Sequence, residues 1–106
     1  MEFEKSKVFN LATSIGFSDN ATVSKMVLKK ETGNITLFAF DKGQSLSEHS
    51  APFDAYVLVT EGRGTIIING QPYELTAGEF IVMPANVPHA VKALEKFKMM
   101  LVMIRG

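Results

Sequence analysis

The stretch GEFIVMPANVPH, residues 78–89, combines a glycine turn, a short apolar strand and a proline-framed loop that ends on a histidine. A second stretch, GQSLSEHSAPFDAYVLVTEG at residues 43–62, carries the other histidine of the chain between two glycines. His49 and His89 are the only histidines in the sequence, and both lie on strand-like segments. Their similar placement predicts that the two imidazoles converge on one cavity, where we expect the function to lie.

Around these stretches the chain alternates turn signals with short runs of β-branched and aromatic residues, a pattern typical of strands. The clearest turn is Asn69-Gly70, because a type I′ turn needs positive φ at both central residues. Further turns are predicted at Glu61-Gly62 and Ala77-Gly78, and a short helix within residues 8–15. The predicted strands are Val23–Leu28, Ile35–Phe40, Tyr56–Thr60, Thr65–Ile68, Tyr73–Leu75, Phe80–Met83, Ala90–Ala93 and Phe97–Ile104.

The composition limits both the fold and the classes of function. A chain of 106 residues with 46% hydrophobic residues is long enough for one compact domain. Eleven basic and eleven acidic side chains leave no net charge, so the basic surface of a nucleic-acid-binding protein is not expected. The absence of cysteine excludes disulfides and thiolate chemistry. No signal peptide or membrane-length apolar run is evident, so we expect a cytoplasmic protein without a membrane partner.

Many short strands with intervening turns predict an all-β protein, either a sandwich or a small barrel. Residues 21–106 are assigned to the barrel. Residues 1–20 are assigned to an N-terminal segment that forms a short helix or a strand.

The two histidine stretches resemble the paired motifs of the cupin superfamily. The matching positions are Gly43, His49 and Gly62 in the first motif, and Gly78, Pro84 and His89 in the second. The resemblance covers about residues 23–104 and implies a cupin-type double-stranded β-helix, a jelly-roll barrel in a single domain. Small cupins of this kind commonly associate, and association protects exposed edge strands, so the resemblance also implies a homodimer.

Three positions depart from the family's motifs. The second histidine of the first motif falls on Ala51, its glutamate on Ala55, and the asparagine that ends the second motif on Ala93. In metal-binding cupins, two histidines, that glutamate and the second-motif histidine hold the ion. Of the four ligands that the resemblance implies, this chain therefore keeps two, His49 and His89, as candidate metal ligands.

The cavity is expected to be mostly apolar, because methyl groups replace two ligand-sized side chains. Residues two apart on a strand share a face, which predicts the neighbours of the histidines. A glycine of the second motif falls on Asn86, the non-glycine residue type best suited to positive φ. The predicted lining is His49, Ala51, Ala55, Val57, Met83 and His89, with Val59, Met99 and Met103 as further candidates.

Three functions are open at this point, and the sequence does not decide whether the protein is an enzyme. In the first, the barrel binds a small molecule that the histidines hydrogen-bond. In the second, His49 and His89 hold divalent iron, zinc, nickel or copper in an oxidoreductase or isomerase with a reduced ligand set. The third is metal-free chemistry, as in cupin-like sugar-nucleotide epimerases, with His49 as the base. Asp54 or Glu48 would orient that base, and Tyr56 would be the acid.

Overall fold

The computed structural model describes residues 3–105, and these residues form a nearly all-β structure, as predicted. Residues 1, 2 and 106 lie outside the described residues, so the outer limits of the predicted segments 1–20 and 21–106 stay predictions. The strands within residues 3–105 are β1 (Thr22–Lys30), β2 (Gly33–Phe40), β3 (Ser45–His49), β4 (Asp54–Ile68), β5 (Gln71–Thr76), β6 (Phe80–Met83), β7 (His89–Lys92) and β8 (Phe97–Ile104).

The long strand β4 organises the antiparallel sheet into a jelly-roll barrel. The hydrogen-bonded order is β1-β2-β8-β4-β7-β3, with β5 and β6 also paired to β4. The first half of β4 pairs with β6 and β8, whereas its second half pairs with β5 and β7. β4 therefore belongs to both halves of the barrel and holds them in one curled sheet.

The middle of β4 bends at Gly62. The pairing register with β8 shifts between Val59 and Glu61, and Gly62 has a φ of 75°. A Cβ atom at Gly62 would also collide with the backbone carbonyl oxygen of Lys96. The predicted turn at Glu61-Gly62 is therefore wrong, because β4 continues through a bulge at Thr60 and through the positive φ of Gly62.

The barrel interior is filled by alternate side chains of β4 and by aromatic rings from its neighbours. The ring of Phe97 on β8 stacks on that of Phe40 on β2, with 4.7 Å between centroids and 6° between planes. Both phenylalanines are fully buried, and burial of such a side chain stabilises the fold by about 1.5–3 kcal/mol. The β4 side chains that are at most 1% exposed are Ala55, Val57, Val59 and Ile66.

The N-terminal segment packs on the outside of the barrel. Its one helical turn is the 3-10 helix Leu11–Thr13, shorter than the predicted helix and capped by the side chain of Asn10. Phe3 and Ile15 are buried against Leu37 of β2, which gives this face a second, smaller apolar cluster. No helix within residues 3–105 has the length and apolar character to span a membrane.

The predicted strands are present, and most of their limits are shifted by at most two residues. Tyr56–Thr60 and Thr65–Ile68 are parts of the single strand β4. Although His49 was expected on a strand-like segment, β3 was not among the predicted strands, because its residues SLSEH include no β-branched residue. Asn69 and Gly70 have φ values of 50° and 81°, so the predicted turn with two positive φ values is confirmed. Asn86 has a φ of 64°, as its position in the motif predicts.

Candidate functional site

The two histidines lie opposite each other on neighbouring strands. β3 and β7 pair antiparallel, and His49 is the register partner of His89. A register shift between Leu46 and His49 marks an irregularity that sets which way the end of β3 faces. His89 shares its strand face with the core residue Val91, two positions along β7. The pairing brings the imidazole rings to a centroid distance of 4.4 Å, with 69° between their planes.

Backbone carbonyl groups fix the tautomer of both rings. Nδ1 of His49 lies 2.8 Å from the carbonyl oxygen of Ser47, and Nδ1 of His89 lies 3.3 Å from that of Val87. A carbonyl oxygen only accepts hydrogen bonds, so Nδ1 is the protonated, donating nitrogen of each ring. In the neutral rings, Nε2 then carries a lone pair and accepts.

The two Nε2 atoms are 3.2 Å apart. With both Nδ1 atoms protonated and both rings neutral, two lone pairs face each other at this distance, and neither ring has a proton to share. An electropositive group that both nitrogens contact removes this conflict. The pair is therefore arranged as a two-nitrogen acceptor site.

The two rings differ in burial and in their affinity for protons. His89 is 6% exposed, whereas His49 is exposed at the end of β3. Burial lowers the pKa of His89 below the ordinary value of 6.5, and the electrostatic effect of His49 lowers it further. The hydrogen bond with Val87 opposes both effects. The lowered pKa favours the uncharged form of His89 at neutral pH, in which Nε2 can accept a hydrogen bond.

The other residues of the predicted lining lie in the packed interior or at its margin. Ala55 is 1% exposed and is the register partner of both Met83 and Met103. Val57 is fully buried in the core. The carbonyl oxygen of Ala51 accepts a hydrogen bond of 2.8 Å from the backbone N–H of Asn86. The contacts of Ala51 and Ala55 are thus a backbone hydrogen bond and core packing, and the placement of their methyl groups beside a ligand stays a prediction.

The residues considered for metal-free chemistry have other partners. Oδ1 of Asp54 accepts a hydrogen bond of 2.9 Å from the backbone N–H of Ala85, which ties the loop after β6 to the start of β4. The ring of Tyr56 packs on that of Phe80, with centroids 4.9 Å apart. Asp54 and Tyr56 alternate with the buried face of β4, so they belong to its outer face. Glu48 is an exposed residue of β3.

The donor set can be tested against the metal that the fold suggests. Zinc–imidazole bonds are about 2.0–2.1 Å long, so two nitrogens on one ion are at most about 4.2 Å apart. The 3.2 Å between the Nε2 atoms of His49 and His89 meets this condition. Among residues 3–105, however, no group of three or more histidine, cysteine, aspartate or glutamate side chains is arranged to hold a metal. The residues present fit an ion held by two protein nitrogens.

Sequence reasoning identified the two histidines but missed the carbonyl groups that orient them. In both rings Nδ1 bonds to the carbonyl oxygen two residues earlier, at Ser47 and at Val87. Every residue has a carbonyl group, so residue type carries no signal for such a partner. The repeated spacing is visible only once the strand ends are placed.

Comparison with known proteins places this fold and site in a family. The family model described as the cupin domain matches residues 36–105. A conserved protein of unknown function from Streptococcus pyogenes is 35% identical with a TM-score of 0.93, over 100% of this chain and 93% of that one. A search of proteins with curated descriptions finds no match.

Two further solved structures are similar. A cupin 2 conserved barrel domain protein from Leptotrichia buccalis is 41% identical with a TM-score of 0.89. The match covers 92% of this chain and 47% of that protein, so this chain spans about half of its length. A cupin superfamily protein from Desulfitobacterium hafniense is 24% identical with a TM-score of 0.90, over 100% and 97% of the two chains, and shows the same fold. The jelly-roll barrel, the two histidine motifs and these matches agree, and the chain belongs to the cupin superfamily.

Proposed function

We propose that this cupin binds a small molecule at the His49–His89 pair. The observation that carries the proposal is the 3.2 Å separation of two Nε2 atoms whose rings both donate through Nδ1 to the backbone. A hydroxyl or ammonium group of a ligand supplies the proton that the two lone pairs lack. A hydrogen bond to a partly buried nitrogen is stronger than the same bond in water, so the pair favours ligands with such a donor.

The surroundings of the pair suggest the rest of the ligand. His49 is exposed, so the pair is reached from solvent at the ends of β3 and β7. Beside the pair lie two partly buried apolar side chains, Ile68, which is the register partner of His89 on β4, and Leu46 of β3. A ligand of this site therefore combines one donor group with a compact apolar body, as a phenol or a small aromatic amine does.

Thermal denaturation of chelator-treated protein with a panel of phenols and aromatic amines tests this proposal. A ligand present at 100 times its Kd stabilises the fold by about 2.7 kcal/mol, which raises the Tm by about 10 °C or more. The shift should disappear in His49→Ala and persist in Glu74→Ala, which removes an exposed side chain of β5. The proposal fails if no member of the panel stabilises the protein, or if His49→Ala responds as the parent does.

The second candidate function is a metal-dependent enzyme, an oxidoreductase or isomerase. It is favoured by the same 3.2 Å separation, which suits two imidazoles on one divalent iron, zinc, nickel or copper ion. His49 and His89 would hold the ion, and solvent or substrate would supply the remaining ligands. When bound, the ion would act as a Lewis acid towards an oxygen of the substrate. The burial that keeps His89 uncharged also keeps its nitrogen free to bind a metal.

Calorimetric titration of chelated protein with each of the four ions tests the second candidate. One ion per chain should bind to the parent and none to the His49→Ala/His89→Ala double variant. Because the double variant alters the buried His89 site, circular dichroism should first establish that it is folded. An ion that binds both proteins equally, or none that binds the parent, would exclude the metal-dependent enzyme while leaving direct small-molecule binding to be judged by the thermal assay.

A further inference from the structure

A cavity lies on the outside of the barrel, where the 3-10 turn of the N-terminal segment meets β4 and β8. Its volume is about 500 Å³, within the range of about 300–1,000 Å³ that is typical of small-molecule sites. Residues 9–12 of the N-terminal segment form one wall, and Thr60, Glu61 and Lys98 form the other. This space, called the turn cavity below, is separate from the histidine pair, because neither histidine lines it.

An irregularity in β4 brings two neighbouring side chains to the turn cavity. Successive side chains of a regular strand point to opposite faces, so Thr60 and Glu61 would not normally line the same space. The register of β4 with β8 shifts between Val59 and Glu61, which makes Thr60 the extra residue of a bulge. Bulges re-aim side chains and are common next to functional sites. The bulge thus explains why both residues face the turn cavity.

The turn cavity contains an ion pair of which one partner is buried. Nζ of Lys98 lies 3.3 Å from Oε1 of Glu61, and the lysine side chain is only 10% exposed. Nζ also donates a hydrogen bond of 3.3 Å to the carbonyl oxygen of Ala12. Hydrogen bonds of an ammonium group to a carboxylate are usually about 2.7–2.9 Å long. The buried ammonium group is therefore held loosely by the protein and can take a closer acceptor.

The wall opposite the ion pair is largely apolar. Phe9 and Leu11 lie on either side of Asn10, and they are 40% and 42% exposed. Covering such side chains removes apolar surface from water, which is favourable. The turn cavity thus offers a positive and a negative group on one side and apolar surface on the other.

We propose that the turn cavity binds an α-amino acid with an apolar side chain. The ligand's carboxylate accepts a hydrogen bond from Lys98, and its ammonium group donates one to Glu61, so that positive and negative charges alternate around the four groups. Both charged groups of an amino acid are attached to one carbon atom, which keeps them close enough to meet an ion pair. The apolar side chain of the ligand covers Phe9 and Leu11.

The balance of charge in the turn cavity supports this class of ligand. One cation, Lys98, and one anion, Glu61, line it, so the site favours a ligand without net charge. A ligand with a single charge would pair with one of these groups and compete with the other. An uncharged hydrocarbon would cover the apolar wall but would take the buried ammonium group away from water without giving it an acceptor.

Calorimetric titration with L-leucine and two of its analogues tests the proposal. Isocaproate lacks the ammonium group of leucine, and isoamylamine lacks its carboxylate group. The parent should bind leucine about tenfold or more tightly than either analogue, because each analogue loses a hydrogen bond between charged groups. In Glu61→Gln, leucine and isocaproate should bind with nearly equal affinity, since a neutral amide attracts the ammonium group less. The Glu61 side chain is 53% exposed, so the fold should tolerate this change.

Glu95→Gln is the matched control. The side chain of Glu95 is also 53% exposed and is paired with a cation, Arg63 at 3.8 Å, but it does not line the turn cavity. This variant should keep the preference for leucine. His49→Ala should bind leucine as the parent does, which separates this site from the histidine pair.

Two results with the parent would overturn the proposal, namely no binding of leucine up to millimolar concentrations, or equal binding of leucine and its analogues. Two results with the variants would overturn it as well. A preference for leucine that survives in Glu61→Gln would show that the ammonium group does not meet Glu61. Loss of leucine binding in His49→Ala would place the ligand at the histidine pair.

Discussion

The fold favours the uncharged form of the His89 side chain. The contribution of His89 to the free energy of unfolding therefore depends on pH. Its pKa in the folded chain lies below the ordinary value of 6.5, first because of burial and second because of the electrostatic effect of His49. The unfolded chain therefore takes up a proton at a higher pH than the folded chain does. Below about pH 6.5 the free energy of unfolding must fall as the pH falls, until the lowered pKa is passed.

Replacement of His89 by glutamine should flatten this dependence between pH 7.5 and 5.5. Glutamine keeps a polar side chain of similar size but does not titrate. The carboxylates of Asp41 and Glu79 have pKa values lowered by hydrogen bonds, so their protonation destabilises the fold only below this window. Urea denaturation at three pH values is the measurement. An equal loss of stability on acidification in parent and variant would contradict the assignment to His89.

Gly64 on β4 shows how closely the core approaches the backbone. A Cβ atom there would lie 2.5 Å from Cζ of Phe97, inside the stacked ring that fills the barrel. Gly64→Ala should therefore displace Phe97 and destabilise the fold by about 1–3 kcal/mol. Gly16→Ala is the control, since a Cβ there meets no atom within 4 Å, and its effect should stay within about 0.5 kcal/mol. Urea denaturation of both variants compares them, and equal stabilities would show that the core adapts at Gly64.

Among the elements, the N-terminal segment depends on one buried lysine. Lys98 of β8 is 8% exposed, and its Nζ lies 3.3 Å from the carbonyl oxygen of Ala12 and 3.3 Å from the carboxylate of Glu61. The same ammonium group lies 5.2 Å from the centroid of the Phe17 ring. The contacts with Ala12 and Phe17 fasten the 3-10 turn and the residues that follow it to the barrel wall.

Lys98→Met should release the N-terminal segment without unfolding the barrel. Methionine retains the apolar stem but loses the bonds of the ammonium group, and a hydrogen bond to a charged group contributes about 1.5–3 kcal/mol. Amide hydrogen exchange in residues 10–17 should accelerate by about tenfold or more, with little change in β4. Lys96→Met is the control, because Lys96 also lies over Phe17, at 5.3 Å, but is exposed. Equal exchange rates in the two variants would show that Lys98 does not hold the segment.

The site was only partly predictable from the sequence. The spacing of glycine and proline around His49 and His89 indicated the two motifs. These two residue types have special backbone conformations, and their positions can be read directly from the sequence. The direction of each ring depends on the irregularity between Leu46 and His49 and on carbonyl groups two residues before each histidine. No residue type signals either feature. That the two Nε2 atoms face each other as acceptors could therefore be derived only from the folded strands.

At the scale of the whole molecule, the all-β barrel was predictable because β-branched and aromatic runs mark most of its strands. The exceptions have physical causes. β3 is rich in polar residues and lies on the edge of the sheet order, where packing does not demand apolar side chains. In the sequence Gly62 predicts a turn. In the fold, β4 pairs with β8 up to Gly62 and with β5 from Arg63 onwards, so the strand does not end there. Local composition thus gave the strands, and long-range pairing decided which of them are continuous.

The strand order has a consequence for how the protein is made. β8 lies between β2 and β4 in the sheet, yet it follows every other described strand in the sequence. While the chain is still on the ribosome, β2 and β4 therefore wait with unpaired edges and exposed apolar side chains until β8 has emerged from the exit tunnel. Most contacts of such a barrel join residues far apart in the sequence, which slows folding. The stage before β8 emerges is therefore when the nascent barrel is most open to misassociation.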